Sequence, residues 1–344
     1  MEQVTIIGID LAKNVFQLAY ADAAGRVVVE QRVRRSELAA AVARCPGAVV
    51  GLEACGGAQQ WARDFEAAGH PVRLMAPNRV KAYCAPGRKD DRRDARAIAE
   101  AASRPHVPGL RVKTPAQQDA QSRQRLHRMR VRQCTTKINT LRGLLGEYGI
   151  VLPKGKGGLR RYTELPGSAR WEAIDAEMRA EFDRLYAEIQ DDRAVIEAGR
   201  ARLAEAGRDD PAVQRLCTIP NVGPMIAAAT VGAIGDGASY PSGRKFATSI
   251  GLTPRLDASA ERVVLGRISL IGDGQLRALY VNAAQGLLMR AVDGRLAGDG
   301  LAQWARRLHA KKGWNETVIA LANKLARIAW AVLRSGQPYR PRPL

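Results

Sequence analysis

The order of strand-like and helix-like segments over the first 84 residues constrains this chain more than any other feature. Residues 3–9, 15–20 and 26–33 read as strands separated by short turns, with Ala24-Gly25 supplying the second turn. Strands joined so closely form an antiparallel meander. A helical segment follows over 36–44, with Ser36 placed to cap it. AVVGLEA at 48–54 reads as a buried strand, which Gly56-Gly57 breaks. AQQWARDFEAAG is an amphipathic helix that stops at Gly69, PVRLMA at 71–76 is another strand, and 78–84 is a short helix.

A meander followed by helix-strand alternation is the ribonuclease-H-like order, a mixed sheet with helices on its faces. In that architecture the first and fourth strands are neighbours. Asp10 ends the first, in VTIIGID, and Glu53 ends the fourth. Asp91 and Asp94 stand three residues apart in GRKDDRRDARAIAEAA, at the start of a helix read over 92–103. Residues at that spacing share a helix face. Each acid alone has an ordinary reading, since a strand-end Asp caps a turn and an acidic first turn complements the helix dipole. Glu53 is harder to set aside, because a carboxylate in an apolar strand is unusual without a partner. Four carboxylates gathered at one sheet end repel one another unless divalent metal sits among them. Metals held that way cut phosphodiesters.

Charge points to the same substrate class. Lys and Arg number 54 against 34 acids, a net charge of +20 and a pI near 10.4. That is the footprint of a polyanion partner. No apolar run reaches the length needed to span a bilayer, and MEQVTIIGID opens on a strand without the features of a signal peptide. A soluble, cytoplasmic, nucleic-acid-facing protein is expected, with no membrane partner. Cys45, Cys55, Cys84, Cys134 and Cys217 are scattered and have no zinc-site spacing with the four histidines. Reduced, mostly buried thiols are expected.

Four regions are expected: 1–110 as the catalytic sheet domain, 111–170 as a basic helix and flexible linker, 171–208 as a coiled coil, and 209–344 as a mainly helical domain. The helix over 115–147 places Leu126, Met129, Ile138, Leu141 and Leu145 on an apolar side. It also carries Arg123, Arg125, Arg128, Arg132, Lys137 and Arg142, with Asp119 as the one opposing acid between Arg111 and Arg142. Phosphate contact is favoured over a merely solvated face. Residues 153–168, with Lys154 and Lys156, read as a linker or flexible binding loop. A helix over 171–206 repeats Met178, Phe182, Leu185, Ile189, Ile196 and Leu203 at coiled-coil spacing. No equally long partner helix is evident nearby, which favours self-association over a helix hairpin within the chain.

Beyond residue 209, LCTIPNVGPMIAAATVGAIG holds a Pro-x-x-Gly turn between helical runs, open to reading as a helix-hairpin-helix or as a simple turn. Helices are expected over 242–250, 273–292, 300–311 and 315–335. The stretch GLTPRLDASAERVVLGRISLIGDG between the first two lacks helical period and reads as an ordered loop with a short strand at 262–265. Ser259 lies in it, near Arg255, Arg262 and Arg267. A loop serine is ordinarily just polar, yet a phosphoryl-transfer serine needs no histidine where arginines and metal stabilise charge.

At these residues the chain resembles the DEDD transposases of bacterial insertion sequences, the RNA-guided bridge-RNA (seeker-RNA) recombinases. GIDLAKNVFQLA, GLEACGGAQQWAR, GHPVRLMAPNRVKAY and KDDRRDARAIAEAASRP carry the likeness in the N-terminal, RuvC-like part. LCTIPNVGPMIAAATVGAIGD, GRKFATSIGLTPR, GRISLIGDGQLRALYVNAA and ALANKLARIAWAVL carry it in the C-terminal part. The resemblance implies Asp10, Glu53, Asp91 and Asp94 as a Mg²⁺-binding tetrad and Ser259 as the nucleophile. The family usually reads Ser-Gly there, whereas Ala260 follows here, and Asp90 competes with Asp91 for the third position. It further implies strand cutting and rejoining on donor and target DNA, an element-encoded guide RNA, and a homo-oligomer, dimer or tetramer, in which tetrad and serine meet across protomers. A nucleoid-associated cytoplasmic location follows. Two rivals from other classes stand beside it: a hydrolytic Holliday-junction-type nuclease that needs the acids but not Ser259, and a non-enzymatic nucleic-acid-binding protein. A sugar-kinase-like ATPase is weaker, because paired Gly-rich phosphate loops are missing from the sequence.

Overall fold

The computed structural model describes residues 4–84, 90–155, 157–205, 207–259, 262–296 and 299–341, with 257–259, 262–263 and 265 described by backbone alone. The chain divides into two compact units, Met1–Pro115 and Ala116–Leu344.

The first unit is built on a six-stranded mixed sheet. Strands β1 (Ile6–Asp10), β2 (Val15–Ala21) and β3 (Val27–Arg34) form the expected antiparallel meander. After α1 (Leu38–Ala43), β4 (Val49–Glu53) pairs parallel to β1. After α2 (Ala58–Ala67), β5 (Val72–Met75) pairs parallel to β4. The short α3 (Pro77–Val80) and then α4 (Asp91–Ser103) precede β6 (Gly109–Leu110), an edge pairing with β5 that the sequence reading did not contain. The sheet order is β3-β2-β1-β4-β5-β6, compatible with a ribonuclease-H-like fold. Ser36 does not cap α1. A short 3₁₀ turn over Arg35–Glu37 precedes that helix, and Glu37 accepts from the Arg34 backbone N–H at 2.9 Å.

The two faces of this sheet differ in side-chain size, because the strand period of two sorts them. Ile7, Ile9, Phe16, Leu18, Tyr20, Val50 and Leu52 fill one face beneath α1 and α2. The other face carries Ala19 and Ala21 and packs against Ala95, Ile98, Ala99 and Ala102 of α4. Gly8 and Gly51 face each other across the β1–β4 ladder on that side. A Cβ on Gly8 would lie 2.4 Å from the Ala95 oxygen and the Ala99 nitrogen, and one on Gly51 would lie 2.8 Å from the Ala102 methyl. Helix α4 therefore rests with its backbone almost on the sheet. Arg73 of β5 donates to the carbonyls of Ala102, Arg104 and Val107, satisfying orphan groups at the C-terminal end of the same helix.

The second unit holds two cores. In one, α5 (Pro115–Glu147) packs antiparallel on α7 (Ala176–Glu205), with Cys134, Leu141 and Leu145 of the first and Phe182 and Ile189 of the second in a shared cluster. Lys137 is held by Glu188 and Asp192 at 3.0 and 2.9 Å across this pair. The apolar seam of α7 is thus covered inside the chain, so the expectation that it lacks a long partner helix is corrected. The partner is α5, whose basic composition concealed its role. Two residues read as its apolar side, Leu126 and Met129, are instead exposed at 49% and 47%. Residues 153–168 are also not an open linker. Leu159 and Tyr162, on a 3₁₀ helix over Gly158–Glu164, and Trp171 of α6 (Ala169–Glu172) are buried in the same core.

The other core joins α8 (Pro211–Cys217), α9 (Pro224–Ile234), α10 (Gly243–Ser249), α11 (Gly274–Val292) and α12 (Gly300–Ser335). Asp210, Asp273 and Asp299 cap α8, α11 and α12 through their side chains. Gly313, at φ 73°, breaks α12 where the sequence separates two helices. The Pro-x-x-Gly turn does lie between two helices. Its Asn221 is tied to α11, accepting from Arg290 at 2.7 Å and donating to the Ala283 carbonyl at 3.1 Å. Between α10 and α11 the expected loop with one strand is a hairpin of two, β7 (Pro254–Ser259) and β8 (Arg262–Ile268). The missing strand shows no apolar alternation in the sequence, and among its described side chains Pro254, Arg255 and Leu256 are all exposed, Leu256 at 63%.

Candidate metal centre

Asp10 and Glu53 directly follow the Ile9–Leu52 pair in adjacent parallel strands. Ile9 and Leu52 point into the core under α2. By the strand alternation, the two acids then take the side of α4. That helix runs antiparallel to β1: Ala95 and Ala99 lie over Gly8, and its first turn reaches the end of the strand. The outcome is a cluster in which one carboxylate oxygen from each of Asp10, Asp91 and Asp94 lies within 4.8 Å of the others. Asp10 and Asp94 are half-buried and Asp91 is exposed. Among the described residues the group consists of these three, and Glu53 is not in it.

Glu53 flanks the cluster closely enough to act on the same thiols. Burial pushes the Cys55 thiol up, and the charges of Glu53 and Asp10 push it further. Burial likewise raises Cys84, joined by Asp94, toward which the Cys84 thiol points at 3.7 Å, and by Glu53. Both cysteines are therefore held as neutral thiols beside the acids. Of the remaining cysteines, Cys45 and Cys134 are buried and Cys217 is exposed.

The competing acid, Asp90, stands outside the cluster. Asp90 is the N-cap of α4, and its side chain accepts from the Arg92 backbone N–H at 3.2 Å. It spends its carboxylate on the helix terminus, whereas Asp91 and Asp94 turn toward Asp10.

The cluster fits a hard divalent cation. One oxygen from each acid lies within 4.8 Å of the others, near enough for the three to converge on a single cation. Carboxylate oxygen is also the donor type that selects Mg²⁺, Mn²⁺ or Ca²⁺ over softer metals. Three carboxylates at this separation otherwise raise one another's energy.

The other sequence candidates are spread over the second unit. Ser259 ends β7, its backbone paired with Arg262. Arg123, Arg125, Arg128 and Arg132 are exposed on α5, Lys154 is exposed after it, and Arg255 and Arg267 are exposed on the hairpin strands. Lys156 lies outside the described residues. Two of the cations already have partners: Lys137 as above, and Arg142, which donates to the Pro153 carbonyl at 2.7 Å.

Gly8, Gly51 and Arg73 shape the site without touching a ligand, and the sequence reading passed over them. A signal was present. GID and GLE each place glycine two residues before the acid, on the same strand face, and ARAIAEAA offers alanines to meet them.

Comparison with known proteins agrees with this architecture. Residues 7–150 match a family model for DEDD transposases of the IS110 type, described as "Transposase". Residues 213–297 match a model described as "Transposase IS116/IS110/IS902 family". The chain is 36% identical over 342 residues to the transposase for insertion sequence element IS1111A of Coxiella burnetii, covering 99% of this chain and 92% of that protein. It is 36% identical over 340 residues to a probable family 20 transposase of Pseudomonas aeruginosa, covering 97% and 98%. It is 34% identical over 339 residues to the transposase for insertion sequence element IS1328 of Yersinia enterocolitica, covering 98% of each.

Proposed function

The chain belongs to the IS110/IS116 family of insertion-sequence transposases, and from that premise we propose that it cuts and rejoins DNA through Asp10, Glu53, Asp91, Asp94 and Ser259. The observation that carries this is the meeting of Asp10, Asp91 and Asp94 within 4.8 Å at one end of the sheet. The four acids hold Mg²⁺, and bound there it supplies charge neutralisation at a phosphate oxygen. Glu53 completes the set from the neighbouring strand. Ser259 Oγ forms a bond to phosphorus while the bond from phosphorus to the departing sugar oxygen breaks. The serine proton passes through solvent to that oxygen. Attack by a different sugar hydroxyl reverses the step and restores serine, so rejoining consumes no ATP.

The finer reading follows the resemblance. An element-encoded guide RNA selects donor and target DNA by pairing, and a dimer or tetramer brings acids and serine together. The coiled-coil helices then serve assembly through surfaces other than the seam already filled. The exposed arginines of α5 and of the hairpin suit phosphate backbones. No helix among the described residues is long and apolar enough to cross a membrane, and the protein works in the cytoplasm at the nucleoid.

The test uses the full chain with its element DNA and RNA in Mg²⁺, quenched in denaturant to trap protein joined to nicked DNA. Wild type gives the covalent species. Ser259→Ala removes it, and Asp94→Asn removes strand breakage altogether. Recombination by Ser259→Ala at the wild-type level sinks the serine assignment. Thermal unfolding adds an independent readout of metal. Without metal, Asp94→Asn relieves carboxylate repulsion and raises stability by about 0.5–2 kcal/mol. In Mg²⁺ only wild type gains further, by binding linkage.

A further inference from the structure

A groove of about 710 Å³ opens on the first unit between the ends of β2 and β3 and the first turns of α2. Asn14, Arg34, Arg35, Gln60, Trp61 and Asp64 are among the residues lining it. Nothing in the site described above uses them.

Its position follows from the sheet. Val15 pairs with Arg34, and Asp10 pairs with Gln17, so the groove and Asp10 occupy the same end. One wall continues from β1 through the turn that ends at Asn14, whose carbonyl accepts from Arg35 N–H at 2.9 Å. The other wall continues from β4 into α2. Three residues separate Asp10 from Asn14, four steps and at most about 14 Å of chain, the length of about four stacked nucleotides.

Its chemistry is basic and aromatic together. Phe65 stacks on Trp61 at 5.6 Å, and Phe16 meets Trp61 edge-on at 5.8 Å. The Arg35 guanidinium lies over the Trp61 ring, 5.3 Å from its centre. This is an ordered column of flat groups that ends at the groove. Arg34 and Arg35 are exposed beside it. Asp64 and Gln60, joined at 2.7 Å, supply acceptors and donors along the other side. Flat stacking surfaces beside exposed cations recognise unpaired nucleotides, because every base has a face to stack and every link carries a phosphate. A duplex hides those faces, and an acidic peptide has no use for the column.

We propose that this groove holds an unpaired DNA nucleotide a few positions along the strand from the phosphodiester presented to Asp10, Asp91 and Asp94, with its base against Trp61 and Arg35 and its phosphate on Arg34. The inference rests on the reading of the acidic cluster as a phosphodiester site. DNA is the occupant because the groove opens at the sheet end that bears Asp10, on the face covered by α1 and α2, so a strand held by the acids on the α4 face reaches it by passing round that end.

The test is done in EDTA, where no strand is broken. A single-stranded DNA carrying 5-iododeoxyuridine is irradiated on the full-length protein, and the adduct is located by mass spectrometry. The expected adduct is on Trp61 with the single strand and is missing with the duplex of the same sequence. Replacing both Arg34→Gln and Arg35→Gln lowers single-strand affinity about tenfold and flattens the salt dependence by about one counterion. Asp94→Asn keeps the adduct. The groove assignment is overturned by no adduct at Trp61, by an equal duplex adduct, by an unchanged double variant, or by RNA or poly-glutamate displacing the DNA at lower concentration. Metal-dependent strand breakage without the adduct removes the groove alone. An adduct without such breakage removes the phosphodiester reading, and with it the scissile bond along the strand.

Discussion

Helix α4 and the β7–β8 hairpin both carry residues proposed for DNA strand chemistry, and they are supported in different ways. The helix lies on glycines of two strands, is held at its C-terminal end by Arg73, and is pinned at its side by Arg96 to Glu30 of β3. Its first turn has little freedom to leave Asp10. The hairpin is two strands that pair with each other, and no third strand joins them among the described residues. Apolar Leu256 and Val264 stand exposed on it. A two-stranded ribbon gains little stability of its own. The acids are thus preorganised by close packing, whereas Ser259 lies on a two-stranded ribbon whose described side chains Leu256 and Val264 are exposed.

The sharpest way to break this contrast is at Gly8. Gly8→Val drives a side chain into the backbone of α4 at Ala95 and Ala99, where nothing can swing aside. The expected cost is about 3 kcal/mol or more, read by urea denaturation, together with loss of Mg²⁺-dependent stabilisation. Gly8→Val with wild-type stability and metal response would show that α4 does not rest on β1. A smaller effect is expected from pH. The Arg96 hydrogen bonds hold the Glu30 carboxyl below the usual glutamate range. A lowered folded pKa contributes stability that is complete above the ordinary glutamate range and is lost as pH falls through the folded value. Acidification should therefore weaken wild type by less than about 1 kcal/mol more than Glu30→Gln, since Arg96 is largely exposed. An identical acid response in both proteins removes this pin from the account. The smallest change in stability is expected at Leu256→Ser, under about 0.5 kcal/mol for an exposed site. A loss of several kcal/mol in the melting curve would mean that the hairpin is packed as firmly as the helix.

How much of this could be read in advance varied with the range of the interactions. The meander, the pairing of β1 with β4 and the helix over 92–103 came from local period, turn residues and strand order, and the structure has all three, with the helix beginning one residue earlier at Asp91. The break at Gly313 came the same way. The α5–α7 pairing was missed because its evidence is split between two distant segments. The α7 seam shows what must be covered, while α5 shows mostly arginine. The hairpin was half-missed because its first strand shows no apolar alternation, and its described residues, Pro254, Arg255 and Leu256, are all exposed. At the acidic site, the choice of Asp91 over Asp90 was open in sequence, since both carboxylates start the same helix. Only the cap to Arg92 N–H separated them.

By itself the sequence determined the kind of molecule this is. A net charge of +20, two strands that each end in an acid, and collinear likeness over nearly the whole chain fix the family and the polyanion it works on. Side-chain identity and short-range period carry that information, because charge and period do not depend on distant partners. Tertiary structure decided which carboxylates meet, which cations remain exposed, and that Trp61 and Arg35 face a groove at the end of the sheet that bears Asp10. Those outcomes depend on how closely one backbone can approach another. That closeness was set by the missing side chains of Gly8 and Gly51, which gain their meaning only when α4 is laid against them.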